Sequence, residues 1–405
     1  YFEYATISIG SGLKTGLKFG NGQVSSMKKN ALLAYLGFLI LMIALGASDA
    51  MRGVFVPIFG EHFALSNTQR SLIITVSYVG NLVFLLFGGR LADTKRRKLA
   101  FFGAAALWMG AVLSYIFSDS YMALLVGMFF SMGASTLTST LINVLTGQIF
   151  IGMSAMVVNT LFFIQGIGTT GSQRLAGMFA DGFSSWHWAN LIVLILGLIG
   201  AAVLLFVRFP QPGSDGVAPL EKFGFRKVLQ NRAFYFLVLI LGFYFVAEHS
   251  VMNWLVTTGT EEFGLSIDSA SGYLSLFFGG IMVGRLAFAP LVQKLGVKRS
   301  ILLFGLVGTV LFGIGSLLQE NGLIVLALSG LFFSILYPTM VMMVQLYYPA
   351  NGVATAAGMI ISVATLFDIG WNALYGVLMD TIGMRTAYLL PAAAMALCFL
   401  SCVGL

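Results

Sequence analysis

The chain has 405 residues, of which 58% are hydrophobic and 9% carry a charge. That leaves too little polar material to cover a soluble protein of this length, which excludes soluble enzyme and scaffold classes. The formal net charge of +7 is gathered in short basic stretches between apolar runs, the pattern of loops on one face of a bilayer and not of a nucleic-acid-binding surface.

In chain order, residues 1–26 lack a membrane-length apolar core, and Met27 followed by "KKNALLAYLGF" reads as a natural start. Residues 1–30 are therefore expected to be a disordered or non-native extension, and no cleavable signal peptide is evident. Apolar runs of spanning length then follow at roughly 31–57, 69–92, 98–117, 121–145, 152–180 and 188–208. A second six lie at roughly 232–257, 268–293, 299–318, 322–346, 352–379 and 384–405. The gap between them, 209–231, holds three of the eight prolines and reads as a linker in which "FRKVLQNR" forms a short interfacial helix. The predicted fold is thus an all-α polytopic membrane protein with 12 transmembrane helices, in an N-terminal six-helix bundle (31–208) and a C-terminal one (232–405). Cys398 and Cys402 fall in the last run at helical spacing, so no disulfide framework is expected. The ending "CFLSCVGL" stops inside an apolar run, so a short tail is expected to be missing.

Loops after the even-numbered spans carry Lys95, Arg96, Arg97 and Lys98, then Arg208, Lys222, Arg226, Lys227 and Arg232, then Lys294, Lys298 and Arg299. The opposite loops carry mainly acids: Glu61, Asp119, Asp181, Glu261, Glu262, Asp268, Glu320 and Asp380. This asymmetry predicts a multi-pass protein of a bacterial plasma or inner membrane with both termini in the cytoplasm. Similarly placed basic turns, "GGRLADTKRRK" and "GRLAFAPLVQKLGVKR", echo one another in the two halves.

Twelve spans, a six-plus-six division and the cytoplasmic motif Gly89, Asp93, Arg97 and Lys98 resemble the major facilitator superfamily. In that family the motif latches the two halves in the outward-facing state. Within it, "YFVAEHSVMNWL", "FFGGIMVGRL" and "FFSILYPTMVMMVQLY", together with Asn143, are similar to the fucose–glucose–galactose proton symporter branch. The chain departs from that branch at Ser139, where an acid is usual, and at "GTTGSQRLAG", which puts Arg174 near the place of a Gly-Pro pair.

A charge at the bilayer centre costs about 2.5–3.5 kcal/mol even on lenient scales, so charges within the spans are candidates for function. Asp49 and Arg52, in "GASDAMRGVFVP", lie three apart on one helical face. They form either a static ion pair or two groups facing a polar cavity, with Asp49 the leading proton-coupling candidate and Arg52 a substrate contact. Glu248 is the second coupling candidate, on the resemblance of its stretch. Its neighbour His249 points elsewhere and reads as a packing or hydrogen-bonding residue. Asp368, Trp371 and Asn372 share one face, an acid, an indole and an amide of the kind that holds sugars. Asn143, Asn159, Arg174, Asn253 and Trp254 complete the expected substrate-binding set.

No His/Cys/carboxylate cluster, nucleophile elbow or phosphate loop is present in the sequence, so neither enzyme chemistry nor a metal or other cofactor is expected. The reading is secondary active transport by alternating access, with protons, a small solute and the bilayer as partners and a monomer as the functional unit. The first expectation is proton-coupled symport of a small neutral solute such as a sugar. The alternative is transport of an organic anion or sugar acid through Arg52 and Arg174, with drug efflux third.

Overall fold

The computed structural model describes residues 21–92, 96–210 and 224–405, and among these every regular element is a helix. The first part comprises α1 (Asn21–His62), α2 (Asn67–Ala92), α3 (Arg97–Phe117), α4 (Tyr121–Ile149), α5 (Ser154–Phe179) and α6 (Phe183–Leu205). After a short α7 (Phe225–Leu229) come α8 (Arg232–Glu261), α9 (Ile267–Leu295), α10 (Val297–Leu317) and α11 (Leu323–Tyr347). The chain ends with α12 (Ala350–Ile382), α13 (Met384–Ala387) and α14 (Leu390–Gly404). Eleven stretches among the described residues are long and apolar enough to cross a membrane, α13 and α14 counting as one. α5 has the length, at 26 residues, but a more polar sequence.

Local chemistry sets the ends. Asn231 caps α8 by accepting from the Ala233 N–H at 3.0 Å, and Ser266 caps α9 by accepting from Ser269 N–H at 3.1 Å. Gly296, at φ +78°, turns the chain from α9 into α10 in a conformation that a side chain disfavours.

Two expectations need correction. The first helix begins before residue 31, so residues 21–30 are not a disordered extension. Asn30 is tied to the end of α6 by a reciprocal pair: its amide donates to the Arg208 carbonyl (3.2 Å) and accepts from the Arg208 N–H (2.7 Å). The last run is not one helix either. It breaks between α13 and α14 at Tyr388 and Leu389, where Pro391, in the first turn of α14, has no N–H to donate to the preceding turn. The short helix expected in "FRKVLQNR" is present as α7, with Val228 buried and its carbonyl accepting from the Tyr348 hydroxyl at 3.1 Å. Cys398 and Cys402 are free thiols. Residues 1–20 and the linker's 211–223 lie outside the described residues.

α1 packs on α5 and α6, α2 on α4, and α3 on α4 and α6. Likewise α11 packs on α9 and α10, and α14 and α12 pack on α8. The two sets meet along three seams, α5–α9, α2–α12 and α1–α8. Large apolar side chains such as Ile192, Ile199, Leu303 and Val310 stand exposed, as a lipid-facing surface requires. The seams are close. A Cβ on Gly53 would run into the Met252 carbonyl, and one on Gly376 into Asn67 and Ser71. Small residues let such helix backbones approach.

Candidate functional site

Charged and amide side chains converge where α1 and α2 meet α8 and α12. Arg52 is 2% exposed and reaches from α1 into this seam. Its Nε donates to Asn253 Oδ1 on α8 (3.2 Å) and its Nη1 to Ser77 Oγ on α2 (3.0 Å). The guanidinium lies 4.7 Å from the centre of the Tyr78 ring, a cation–π arrangement. Its Nη2 is buried without a hydrogen-bond partner among the described residues.

Asp49 does not pair with Arg52. Its Oδ2 accepts from Ser135 Oγ on α4 at 2.7 Å, while its Oδ1 is buried without a partner among the described residues. The ion-pair reading of the shared face is thereby corrected. The three-residue spacing brings the two groups to one side of α1, but nearer neighbours on other helices take their hydrogen bonds.

Asn253 links the seam further. Its Nδ2 donates to the Tyr78 hydroxyl (3.2 Å) and to the His249 carbonyl (2.8 Å). His249 stacks on Tyr78 with ring centres 5.1 Å apart and stands 2.6 Å, Nδ1 to Oδ2, from Asp368 on α12. Asp368 Oδ1 accepts from Asn372 Nδ2 (2.9 Å), and Asn372 Oδ1 accepts from the Trp254 indole (3.4 Å). Trp371 donates its indole N–H to Ser250 Oγ at 2.8 Å. The face bearing Asp368, Trp371 and Asn372 thus lies against α8. Asp368, Asn372 and Asn253 are fully buried.

The other expected site residues sit apart. Glu248 is half-buried and faces the Tyr244 hydroxyl, with Arg285 and Tyr337 in electrostatic reach of the same spot. Asn143 is half-buried on α4, and Asn159 is exposed on α5. Arg174 stands at the end of the α5–α9 seam, ion-paired with the Asp268 side chain and donating to the Asp268 carbonyl (3.0 Å).

That end of the molecule is sealed. Arg70 on α2 pairs with Glu261 on α8. Asp380 on α12 accepts from the backbone N–H groups of Asn67 (3.2 Å) and Thr68 (2.9 Å) and from the Thr68 hydroxyl (2.6 Å). These are first-turn donors of α2 with no partner inside their own helix, facing a carboxylate at the positive end of the helix dipole. Nearer the middle, Ser275 Oγ on α9 donates to the Thr170 carbonyl on α5 at 3.0 Å.

At the basic end, Lys98 and Arg97 contact other helices of the first set. Lys98 Nζ donates to the carbonyls of Leu205 (2.7 Å) and Val207 (3.1 Å), a cation at the negative end of α6. Arg97 Nη1 donates to Gln148 Oε1 on α4 at 2.5 Å. Gly89 lies on α2, and Asp93 lies outside the described residues.

Sequence reasoning missed Ser77, Tyr78, Ser135 and the acid–base partners at the sealed end. Glu261, Asp268 and Asp380 were visible only as loop charges, and no spacing singles out one tyrosine of 14.

The family model described as Major Facilitator Superfamily matches residues 37–366 and 250–405. The hexuronate transporter of Bacillus subtilis (strain 168) is 26% identical over 374 residues, 84% of this chain and 86% of that protein. The L-fucose-proton symporter of Escherichia coli (strain K12) is 23% identical over 412 residues, 91% of each chain. Among solved structures, a point mutant of the nucleoside transporter NupG superposes with a TM-score of 0.75 at 13% identity, covering 92% of this chain and 99% of that one.

Proposed function

The chain belongs to the Major Facilitator Superfamily, and from that premise we propose that it is a proton-coupled symporter of a sugar-like solute. Secondary active transport by alternating access goes with the family, whose two halves rock about a central site. In our reading the halves are six-helix bundles, 31–208 and 232–405, joined by the linker 209–231, and the monomer is the working unit. The basic loops argue for both termini in the cytoplasm of a bacterial inner membrane, so that the sealed end faces outward.

One observation carries the proposal: buried charges and amides span the seam between the two helix sets. Arg52, Tyr78, Asn253, His249 and Asp368 form one connected group there. A static membrane protein has no need of such costly residues at an interface between bundles. Trp254, Trp371, Asn253 and Asn372 supply the aromatic and amide surface suited to a neutral sugar. Asp49 and Glu248 are the coupling acids in this reading, since protonation can remove a charge from each before the carrier turns over. The resemblance to sugar symporters and the L-fucose carried by the Escherichia coli relative support the same class.

A second reading, transport of a sugar acid, is favoured by Arg52. No carboxylate hydrogen-bonds to it, and its Nη2 is buried without a partner among the described residues. A guanidinium in that state is well suited to a substrate carboxylate. Arg174, the other arginine of this reading, is held at the sealed end by Asp268 and is better cast as part of a gate.

The test is uptake into proteoliposomes of labelled L-fucose and D-glucuronate, with and without an inward proton gradient. Gradient-driven uptake of L-fucose, lost in Asp49→Asn, is expected. Uptake of D-glucuronate alone moves the assignment to the sugar acid, and a flux indifferent to the gradient removes proton coupling.

A further inference from the structure

We propose that His249 and Asp368 form a proton-binding dyad that sets whether the seam between the two helix sets is closed or open. This rests on the proton-symport reading and adds to it a switch at the seam, beside the coupling acids Asp49 and Glu248. Asp49 makes its hydrogen bond within the first set, to Ser135 on α4, and Glu248 faces Tyr244 within the second. Neither of these contacts crosses the seam between the two sets. The dyad is different, because its surroundings cross the seam.

The geometry is direct. His249 Nδ1 and Asp368 Oδ2 are 2.6 Å apart, and Asp368 Oδ1 is already held by Asn372 at 2.9 Å. The imidazole stacks on Tyr78 of the first set and on Phe245 of its own helix, with ring centres 5.1 and 5.2 Å away. Asn253, one turn on, donates to the His249 carbonyl at 2.8 Å and accepts from Arg52 at 3.2 Å. The charged and titratable groups facing the dyad are therefore Arg52 from α1, Tyr78 from α2 and Glu248 from α8. Arg285 of α9, Tyr337 of α11 and Cys398 of α14 gather instead around Glu248 and Tyr244.

With a neutral imidazole and an ionised Asp368, the dyad carries one negative charge. That charge lies across the seam from the guanidinium of Arg52, which no carboxylate hydrogen-bonds, and in a poorly screened interior the attraction holds the sets together. One added proton makes the pair an imidazolium–carboxylate with no net charge. The attraction across the seam is then lost, the imidazolium faces Arg52 as a like charge, and the sealed end is released. Protonation thereby favours the state open at the Arg70–Glu261 end.

The experiment measures this without any solute. Spin labels on Ser184→Cys and Thr381→Cys, exposed positions at the sealed end on opposite sets, report the distance across that end by double electron–electron resonance between pH 5.5 and 8.5. Wild type is expected to shift toward the longer distance as pH falls, and His249→Gln, whose amide can still donate to Asp368, is expected to lose the shift. Asp368→Asn serves as the second variant, and monodisperse elution with a well-defined distance distribution shows that each has folded. A shift unchanged in both variants, or absent from wild type, overturns the dyad while leaving gradient-driven uptake by wild type, and so the symport reading, intact. Absence of gradient-driven uptake of L-fucose and D-glucuronate removes the symport reading and the inference with it.

Discussion

Arg52 shows how much one residue's surroundings decide. Its side chain is buried, and its hydrogen bonds to oxygen go to an amide and a hydroxyl. A charge kept in such a place must be balanced through space or by a ligand, because an uncompensated buried ion costs several kcal/mol. Lysine keeps the charge but not the planar fork. If the cargo carries a carboxylate, Arg52→Lys is expected to lose at least one charged hydrogen bond, worth about 1.5–3 kcal/mol. That corresponds to a rise in KM for D-glucuronate of about 10- to 150-fold, with L-fucose little changed. Equal effects on both solutes, measured by initial uptake rates, would assign Arg52 to the seam and not to the cargo.

Among the helices, the sealed end is held by unequal fasteners. The side chains of Arg174 and Asp268 are 40% and 52% exposed, and ion pairs so open to solvent contribute about 0–1 kcal/mol. Asp380 instead caps the first turn of α2 from another helix, an arrangement worth about 0.5–2 kcal/mol when a capping residue is removed. Asp380→Ala is therefore expected to open that end more than Arg174→Gln does. The readout is labelling of Ser71→Cys, a position 1% exposed beneath the cap, by a membrane-impermeant maleimide. Labelling should accelerate several-fold in Asp380→Ala and little in Arg174→Gln, and the reverse order would make the ion pair the main lock. Arg174→Gln is also expected to retain gradient-driven uptake, because its side chain is engaged at the rim and not in the buried cluster.

At the scale of the whole molecule, transport requires the two helix sets to part and meet again without melting. Backbone contact at Gly53 and Gly376 makes the closed seam, and polar groups at the middle and the sealed end hold it. Overpacking such a contact typically costs about 1–3 kcal/mol, enough to shift a two-state equilibrium about 5- to 150-fold. Gly376→Leu is expected to keep the sealed end from closing, so that spin labels at Ser184→Cys and Thr381→Cys stay at the longer distance at every pH and uptake falls to background. A normal uptake rate in that variant would mean that the α2–α12 contact need not re-form during the cycle.

Much of this was legible in the residues alone. Runs of membrane length, the basic asymmetry of the loops and the family resemblance all follow from local composition, because a bilayer imposes length and apolarity on each helix independently. The candidate polar actors were legible for the same reason, since a charge inside an apolar run announces itself. Their partners were not. Asp49 and Arg52 share a face of α1, yet Ser135 and Asn253 hold them, on helices 86 and 201 residues along the chain. His249 read as a packing or hydrogen-bonding residue, but its partner Asp368, 119 residues away, was not legible. Helix periodicity fixes which residues point the same way, but which two faces meet is set by packing between distant helices. Only the tertiary structure therefore decided that Arg174 belongs to the sealed end and that the buried charges gather on the seam.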